Sequence, residues 1–167
     1  FNSLSDGSFS DCTIIVTDVA GNVSSNLAVS TFIVDTVDPT LSFTNNVLTG
    51  PTISDTIEIN TSDTLSGIKV SQLQYAFVDA AGDCNSGASF INAYSSGTSF
   101  IINTQSYNSK YICARTSDNA GNVKYLASAN NLNIDNIAPT QPVVLIDIES
   151  PYSVDEPHIN FTSFDVN

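Results

Sequence analysis

The residues of this chain best able to do chemistry are its carboxylates, three cysteines and a single histidine. Asp35 and Asp38 lie just before Pro39, and Asp135 lies four residues before Pro139. Asp63 and Asp118 sit in stretches that read as turns, and Asp6 opens an Asp-Gly turn. Clustered carboxylates are hard oxygen donors. They suit a cation such as calcium, which takes six to eight oxygens from carboxylates, carbonyls and water. No spacing here matches an EF-hand loop. If Asp63 and Asp118 lie at the end of the domain that meets the next linker, they would share an ion with Asp135 or Asp147. The bland alternative is that these are solvated surface carboxylates. His158, beside Pro157, reads as an exposed or half-buried strand residue. One histidine among many serines does not make a Ser-His-Asp arrangement. There is no Gly-rich phosphate loop, and Cys12, Cys84 and Cys113 form no Cys/His zinc pattern. The expectation is a protein that is not an enzyme, with no catalytic residues.

The elements that must position these groups are β-strands. Four Lys and Arg stand against seventeen Asp and Glu, a formal net charge of -13. That balance excludes nucleic-acid binding, which needs clustered Lys and Arg, and docking to anionic membrane surfaces. Acidity alone would also fit disorder. Against that, 41% of residues are apolar, and nine Phe with six Tyr provide a core. Abundant Ser, Thr and Asn, with no Met or Trp, fit an all-β extracellular module. No stretch nears the roughly 20 apolar residues of a membrane span, so direct membrane insertion is not expected. A chain opening at Phe1 without Met reads as a segment of something longer.

An internal repeat organises the chain. Asp18-Val-Ala-Gly21-Asn22-Val23 recurs 100 residues later as Asp118-Asn-Ala-Gly121-Asn122-Val123. Phe32-Ile-Val-Asp35-Thr-Val-Asp-Pro39-Thr40 recurs at the same shift as Leu132-Asn-Ile-Asp135-Asn-Ile-Ala-Pro139-Thr140. More loosely, Ile57-Glu-Ile59-Asn-Thr-Ser-Asp63 resembles Ile159-Asn-Phe161-Thr-Ser-Phe-Asp165, with a small insertion near Asp155-Glu-Pro157. The period is the usual size of a β-sandwich domain. Residues 40–139 therefore read as one complete repeat, 1–39 as the C-terminal part of a preceding one, and 140–167 as the N-terminal part of a following one. Proline stiffens its surroundings, so each linker should be short and rigid.

Within the complete repeat, the patterning is β throughout. Strands are expected at 41–44, 56–61 with Ile57 and Ile59 inward, and 70–78 with Leu73, Tyr75 and Phe77 on one face. Two shorter ones follow at 89–94 and 99–103, then 110–116 and 123–129 with 131–134. Turns fall at 45–52, 63–67 and 118–122, and a loop at 80–88. Seven short strands favour a Greek-key sandwich over a barrel. In Asp-Xaa-Ala-Gly-Asn, Gly supplies positive φ and the Asp carboxylate reaches backbone N–H groups two residues on. That is a structural turn; metal ligation is the competing reading. The triplets at Asn22, Asn60 and Asn160 fit the N-glycosylation pattern, as chance allows in so Asn-, Ser- and Thr-rich a chain.

The strand, then Thr-Asp-Val-Ala-Gly-Asn-Val-Ser, then a last strand and Val-Asp-Thr-Val-Asp-Pro-Thr, resembles the repeat ending of bacterial Ig-like domains. Such domains are strung in tandem along large adhesins and other surface proteins. The resemblance covers residues 9–40 and 107–140 strongly, and 41–106 only in outline. It implies an Ig-like Greek-key β-sandwich in tandem repeats of about 100 residues, at the cell surface, with a spacer or adhesive role. A subgroup carries one Cys after the third strand and another in Lys-Tyr-Ile-Cys-Ala, here Cys84 and Cys113. That implies a disulfide enclosing 28 residues and an oxidising, extracellular setting. Cys12 departs from this, because the position equivalent to Cys113 is Thr13. Either a bulge restores the register or Cys12 does different work, its partner lying upstream. The resemblance also implies junctions stiffened by calcium, with Asp35, Asp38, Asp63, Asp118 and Asp135 as candidate ligands.

Expected partners are neighbouring repeats or identical chains. Two other roles compete with the spacer. One is a surface-layer or filament segment assembled by strand complementation, since incomplete sandwiches leave unpaired edges. The other is a module whose loops engage a host-cell, glycan or protein ligand. An exposed aromatic cluster near Tyr94, Phe100 and Tyr107 would favour binding; buried aromatics would favour the spacer.

Overall fold

The computed structural model describes residues 3–45 and 47–140 in full, with the backbone of strands 144–146 and 159–161. His158, Asp147, Asp155 and Asp165 lie outside the described residues. The described residues are all-β apart from three single-turn 3₁₀ segments. Among the described residues no helix is long and apolar enough to cross a membrane.

Residues 40–139 hold seven strands: β5 (Thr40–Phe43), β6 (Asp55–Ser62), β7 (Gln74–Val78), β8 (Asn92–Ala93), β9 (Ser99–Ile102), β10 (Tyr111–Ser117) and β11 (Val123–Ala127). They form two antiparallel sheets, ordered β5-β6-β9 and β11-β10-β7-β8. Both sheets feed one core. Ile57 and Ile59 of β6 are fully buried, as period-2 alternation requires. Opposite them lie Ile112 and Ala114 of β10, while Leu73, Tyr75 and Phe77 pack from the β7 side. Burying each large aliphatic side chain stabilises by roughly 1.5–3 kcal/mol.

Three elements differ from expectation. Residues 70–78 are not one strand: Val70–Gln72 make a 3₁₀ turn before β7 begins. Residues 131–134 do not extend β11. Instead Ile134 makes a parallel bridge to Thr52, with Thr52 N–H donating to Asn133 O and Asp135 N–H to Thr52 O. The 45–52 segment, read as turn, also plugs the core. Val47 is 1% exposed, and the Leu48 N–H donates to the buried Asp55 carboxylate.

The loop after β7 is held on the outer face of the second sheet. Cys84 and Cys113 are bonded, with Cα atoms 5.1 Å apart. Further along the loop, Phe90 lies 4.9 Å under the Arg115 guanidinium and 5.7 Å from the Tyr125 ring.

Residues 3–39 carry β1 (Gly7–Phe9), β2 (Thr13–Ile14), β3 (Leu27–Ala28) and β4 (Phe32–Val34), paired β1-β4 and β2-β3. The bridge Thr17↔Val23 reproduces Ser117↔Val123 at the 100-residue shift. Farther from the turn, Thr13 pairs with Ala28, whereas Cys113 pairs with Ala127. One extra residue is therefore accommodated on the returning strand, a bulge. It leaves Cys12 aligned with Ile112, so it does not bring Cys12 to the Cys113 position. Cys12 is a half-buried free thiol. After residue 140, β12 (Val144–Ile146) pairs antiparallel with β13 (Ile159–Phe161), as β5 does with β6.

Candidate metal centre

The Asp-Xaa-Ala-Gly-Asn turn builds the first wall of the site. Gly121 takes φ +107, which an L side chain rarely adopts. This curls the chain so that Asp118 Oδ1 accepts from the Gly121 N–H (2.6 Å) and the Asn122 N–H (2.9 Å). Asp118 Oδ2 accepts from Asn122 Nδ2 at 2.7 Å. Its earlier copy is the same device: Asp18 Oδ1 accepts from the Asn22 N–H, Asp18 Oδ2 from Asn22 Nδ2, both at 2.8 Å, and Gly21 has φ +92. The turn hydrogen bonds hold the Asp18 carboxyl below the ordinary carboxylate range, the Asn22 side chain contributing most. Asp18 is exposed, whereas Asp118 is fully buried.

The second wall is the turn after β6. Asp63 Oδ2 accepts from the Gly67 N–H (2.7 Å) and the Leu65 N–H (3.1 Å). Asn119 ties the two walls together, donating its N–H to Gly67 O and Nδ2 to Ser66 O, both at 2.9 Å.

The third group comes from the segment between β4 and β5. Asp35 is 8% exposed. Its Oδ1 accepts from the Val37 N–H and its Oδ2 from the Ser66 N–H, each at 3.1 Å. The Ser66 hydroxyl holds its carboxyl below the ordinary range, against the upward push of burial and with help from the Val37 and Ser66 N–H groups. That hydroxyl is shut off from solvent and, by strict geometry, bonds no described residue.

Carboxylate oxygens of Asp35, Asp63 and Asp118 all lie within 4.8 Å of one another. Two like charges at that spacing repel by about 3 kcal/mol at an effective dielectric of 20. The ion pairs among the described residues, Lys110–Asp79 and Lys124–Asp38, leave all three unpaired. Backbone N–H dipoles offset part of the repulsion. A cation at the centre would offset more. Calcium–oxygen distances of roughly 2.3–2.6 Å place ligands on opposite sides of the ion about 5 Å apart. The oxygen-only donor set fits a hard divalent cation, with three carboxylate ligands and water or carbonyls completing the shell.

Three of the five candidate ligands thus converge, and two do not. Asp38 is exposed and meets Lys124 Nζ at 3.7 Å. Asp135 sits beside the 45–52 segment, where its Oδ1 accepts from the Ile137 N–H at 3.2 Å. That bond copies Asp35 Oδ1 with Val37 one period earlier. Asp63 and Asp118 therefore gather with Asp35, which precedes β5, and not with Asp135, which follows β11. Asp6 takes a role not anticipated: its carboxylate accepts from the Thr36 N–H and hydroxyl at 3.0–3.1 Å. Ser66, Asn119 and Asn122 were missed as site residues. The only signal for them was their place inside the two turns.

Tyr94, Phe100 and Tyr107 belong to the core or pack against it. Tyr94 is buried, and burial pushes its phenol up to about 12. Tyr75 and Phe100 stack at 4.7 Å, and Phe77 and Tyr107 at 3.7 Å, against the core. No protein-family model matches this chain, and no curated protein or solved structure matches it significantly.

Proposed function

We propose that this chain is a non-enzymatic spacer segment of a tandem Ig-like repeat protein, displayed outside the cell. In this reading residues 40–139 are one Greek-key sandwich, flanked by parts of its neighbours. Its junctions are stiffened by a divalent cation, calcium by ligand chemistry.

The observation that carries this is the construction of the linker. Pro39 is fully buried, and β5 begins at the next residue. Asp35 bonds the 63–67 turn, its carbonyl accepts from Asn122 Nδ2, and Thr36 next to it bonds Asp6 of the preceding segment. A linker held on both sides transmits orientation and force from one module to the next. Repeat proteins with such nearest-neighbour interfaces behave as sums of modules and interfaces. The buried aromatics favour the spacer over the aromatic binding surface considered for residues 94–107. The Cys84–Cys113 bond supports an oxidising, extracellular setting.

Single-molecule stretching of the chain tests the mechanical reading. At roughly 3.5 Å per extended residue, unfolding of 40–139 with the disulfide closed should release about 250 Å of contour. After reduction it should release about 350 Å. Extension without any resisted unfolding event would contradict a load-bearing role.

A further inference from the structure

We propose a second site: an amide-lined cleft on the 40–139 unit that binds a neutral, hydroxyl-rich ligand, the end sugar of a glycan. This goes beyond the spacer reading and does not depend on the carboxylate cluster. A hollow of about 270 Å³ opens between the 108–109 turn, the 130–133 segment and Thr49. Its walls are Thr49, Asn108, Ser109, Asn130, Asn131 and Asn133, around the buried Leu132. In a chain of net charge -13, none of these seven residues is ionisable.

The walls keep spare hydrogen-bonding capacity. Asn108 spends its Oδ1 on the Ser109 N–H, leaving its NH₂ free. Asn130 spends its Nδ2 on Val47 O, leaving its carbonyl oxygen. The Asn131 and Asn133 amides and the Thr49 hydroxyl make no hydrogen bond with another described residue. Free donors and acceptors thus face one hollow. Sugar hydroxyls both donate and accept, and amides answer in both senses. A charged ligand would find no counter-charge, and a flat aromatic ligand no ring to stack on. The volume falls just below the usual span of drug-sized pockets, which suits one sugar ring better than a long oligosaccharide.

The backbone and the repeat add independent weight. Ser109 at the rim has φ +64, a left-handed conformation costing a non-glycine residue roughly 1–2 kcal/mol. Such strain concentrates at functional sites. The preceding repeat shows that the framework does not need it. There Ser109 and Leu132 correspond to Phe9 and Phe32, which stack at 5.2 Å, and Asn131 and Asn133 correspond to Thr31 and Ile33. Asn108 and Asn130 correspond to Ser8 and Ser30, so the amides, the strained Ser109 and the Asn133 wall are particular to this stretch.

The test is side-chain amide NMR on the ¹⁵N-labelled full chain, titrated with methyl glycosides of glucose, galactose, mannose and N-acetylglucosamine. At least one should shift the Asn108, Asn130, Asn131 and Asn133 NH₂ signals in a saturable way. The double variant Asn131→Ala/Asn133→Ala removes side chains that hydrogen-bond no other described residue. It should keep the backbone spectrum and weaken binding at least about tenfold, the value of one or two hydrogen bonds. The proposal is overturned if none of the four glycosides moves these amides, or if the double variant binds as the parent does.

Discussion

Asn122 Nδ2 donates at 2.7 Å to Asp118 Oδ2 in its own turn and at 3.1 Å to the main-chain carbonyl of Asp35, 87 positions earlier. One amide group thus closes a turn and fastens the segment before β5 to it. The earlier copy, Asn22, makes the first contact only, with Asp18 Oδ2.

This difference is measurable. Asn122→Ala leaves a fully buried Asp118 oxygen without its side-chain donor and should cost about 1–3 kcal/mol. Asn22→Ala, in an exposed turn, should cost less than about 1 kcal/mol. Denaturant midpoints for the two variants check the ranking; equal losses would mean the linker contact contributes nothing.

The disulfide should act through the unfolded chain. Closing a 29-residue separation is worth about 3–4 kcal/mol on the loop-entropy model. Cys84→Ser/Cys113→Ser, or reduction, should lower the denaturant midpoint accordingly. It should also loosen residues 79–91, read as faster amide exchange there than in β6.

Tyr94 predicts an alkaline limit. Its ordinary value is 10, and burial raises it to about 12 in the folded protein. Folding therefore favours the neutral phenol. Its contribution is full below pH 10 and is lost as pH rises through about 12. Tyr75 is pushed the same way by burial and by the nearby Tyr107. Ultraviolet titration should show phenols ionising late, together with unfolding. Tyr94→Phe should move that unfolding to higher pH.

Asp63→Asn separates the two meanings of the carboxylate cluster. Without divalent ions, removing one of three mutually repelling charges should leave stability unchanged or raise it by up to about 1 kcal/mol. With calcium it should abolish most of the stabilisation seen in the parent. Circular-dichroism melts in chelator and in calcium report both arms.

Much of this was legible in the sequence because period-2 patterns and turn chemistry act locally. Ile57 and Ile59 declare the buried face of β6 by alternation alone. Asp118, Gly121 and Asn122 announce their turn, since only some residues accept positive φ or bond the backbone two positions on. What was not legible depends on approach in space. Nothing local says that Asp63 and Asp118 meet Asp35 and not Asp135, because the choice is made by which end of the sheets the linker enters. Val47 reads as loop because the core it joins is assembled from residues as far away in sequence as Ile112 and Ile134. Residues 70–72 read as strand because a 3₁₀ turn before β7 carries no glycine or proline to mark it. The amide cleft was invisible for a related reason: four Asn in a chain rich in Asn signal nothing until the fold places them around one hollow.

The most direct test of the central claim is thermal unfolding in excess calcium and then in excess chelator, under non-reducing conditions. A cation held by Asp35, Asp63 and Asp118 stabilises the folded state by about 2.7 kcal/mol at a hundredfold excess over its dissociation constant. The melting temperature should therefore rise by several degrees in calcium, and the rise should vanish in Asp118→Asn. Identical melting curves in calcium and chelator would contradict the claim, leaving the three carboxylates held by backbone N–H groups and the linker by hydrogen bonds alone.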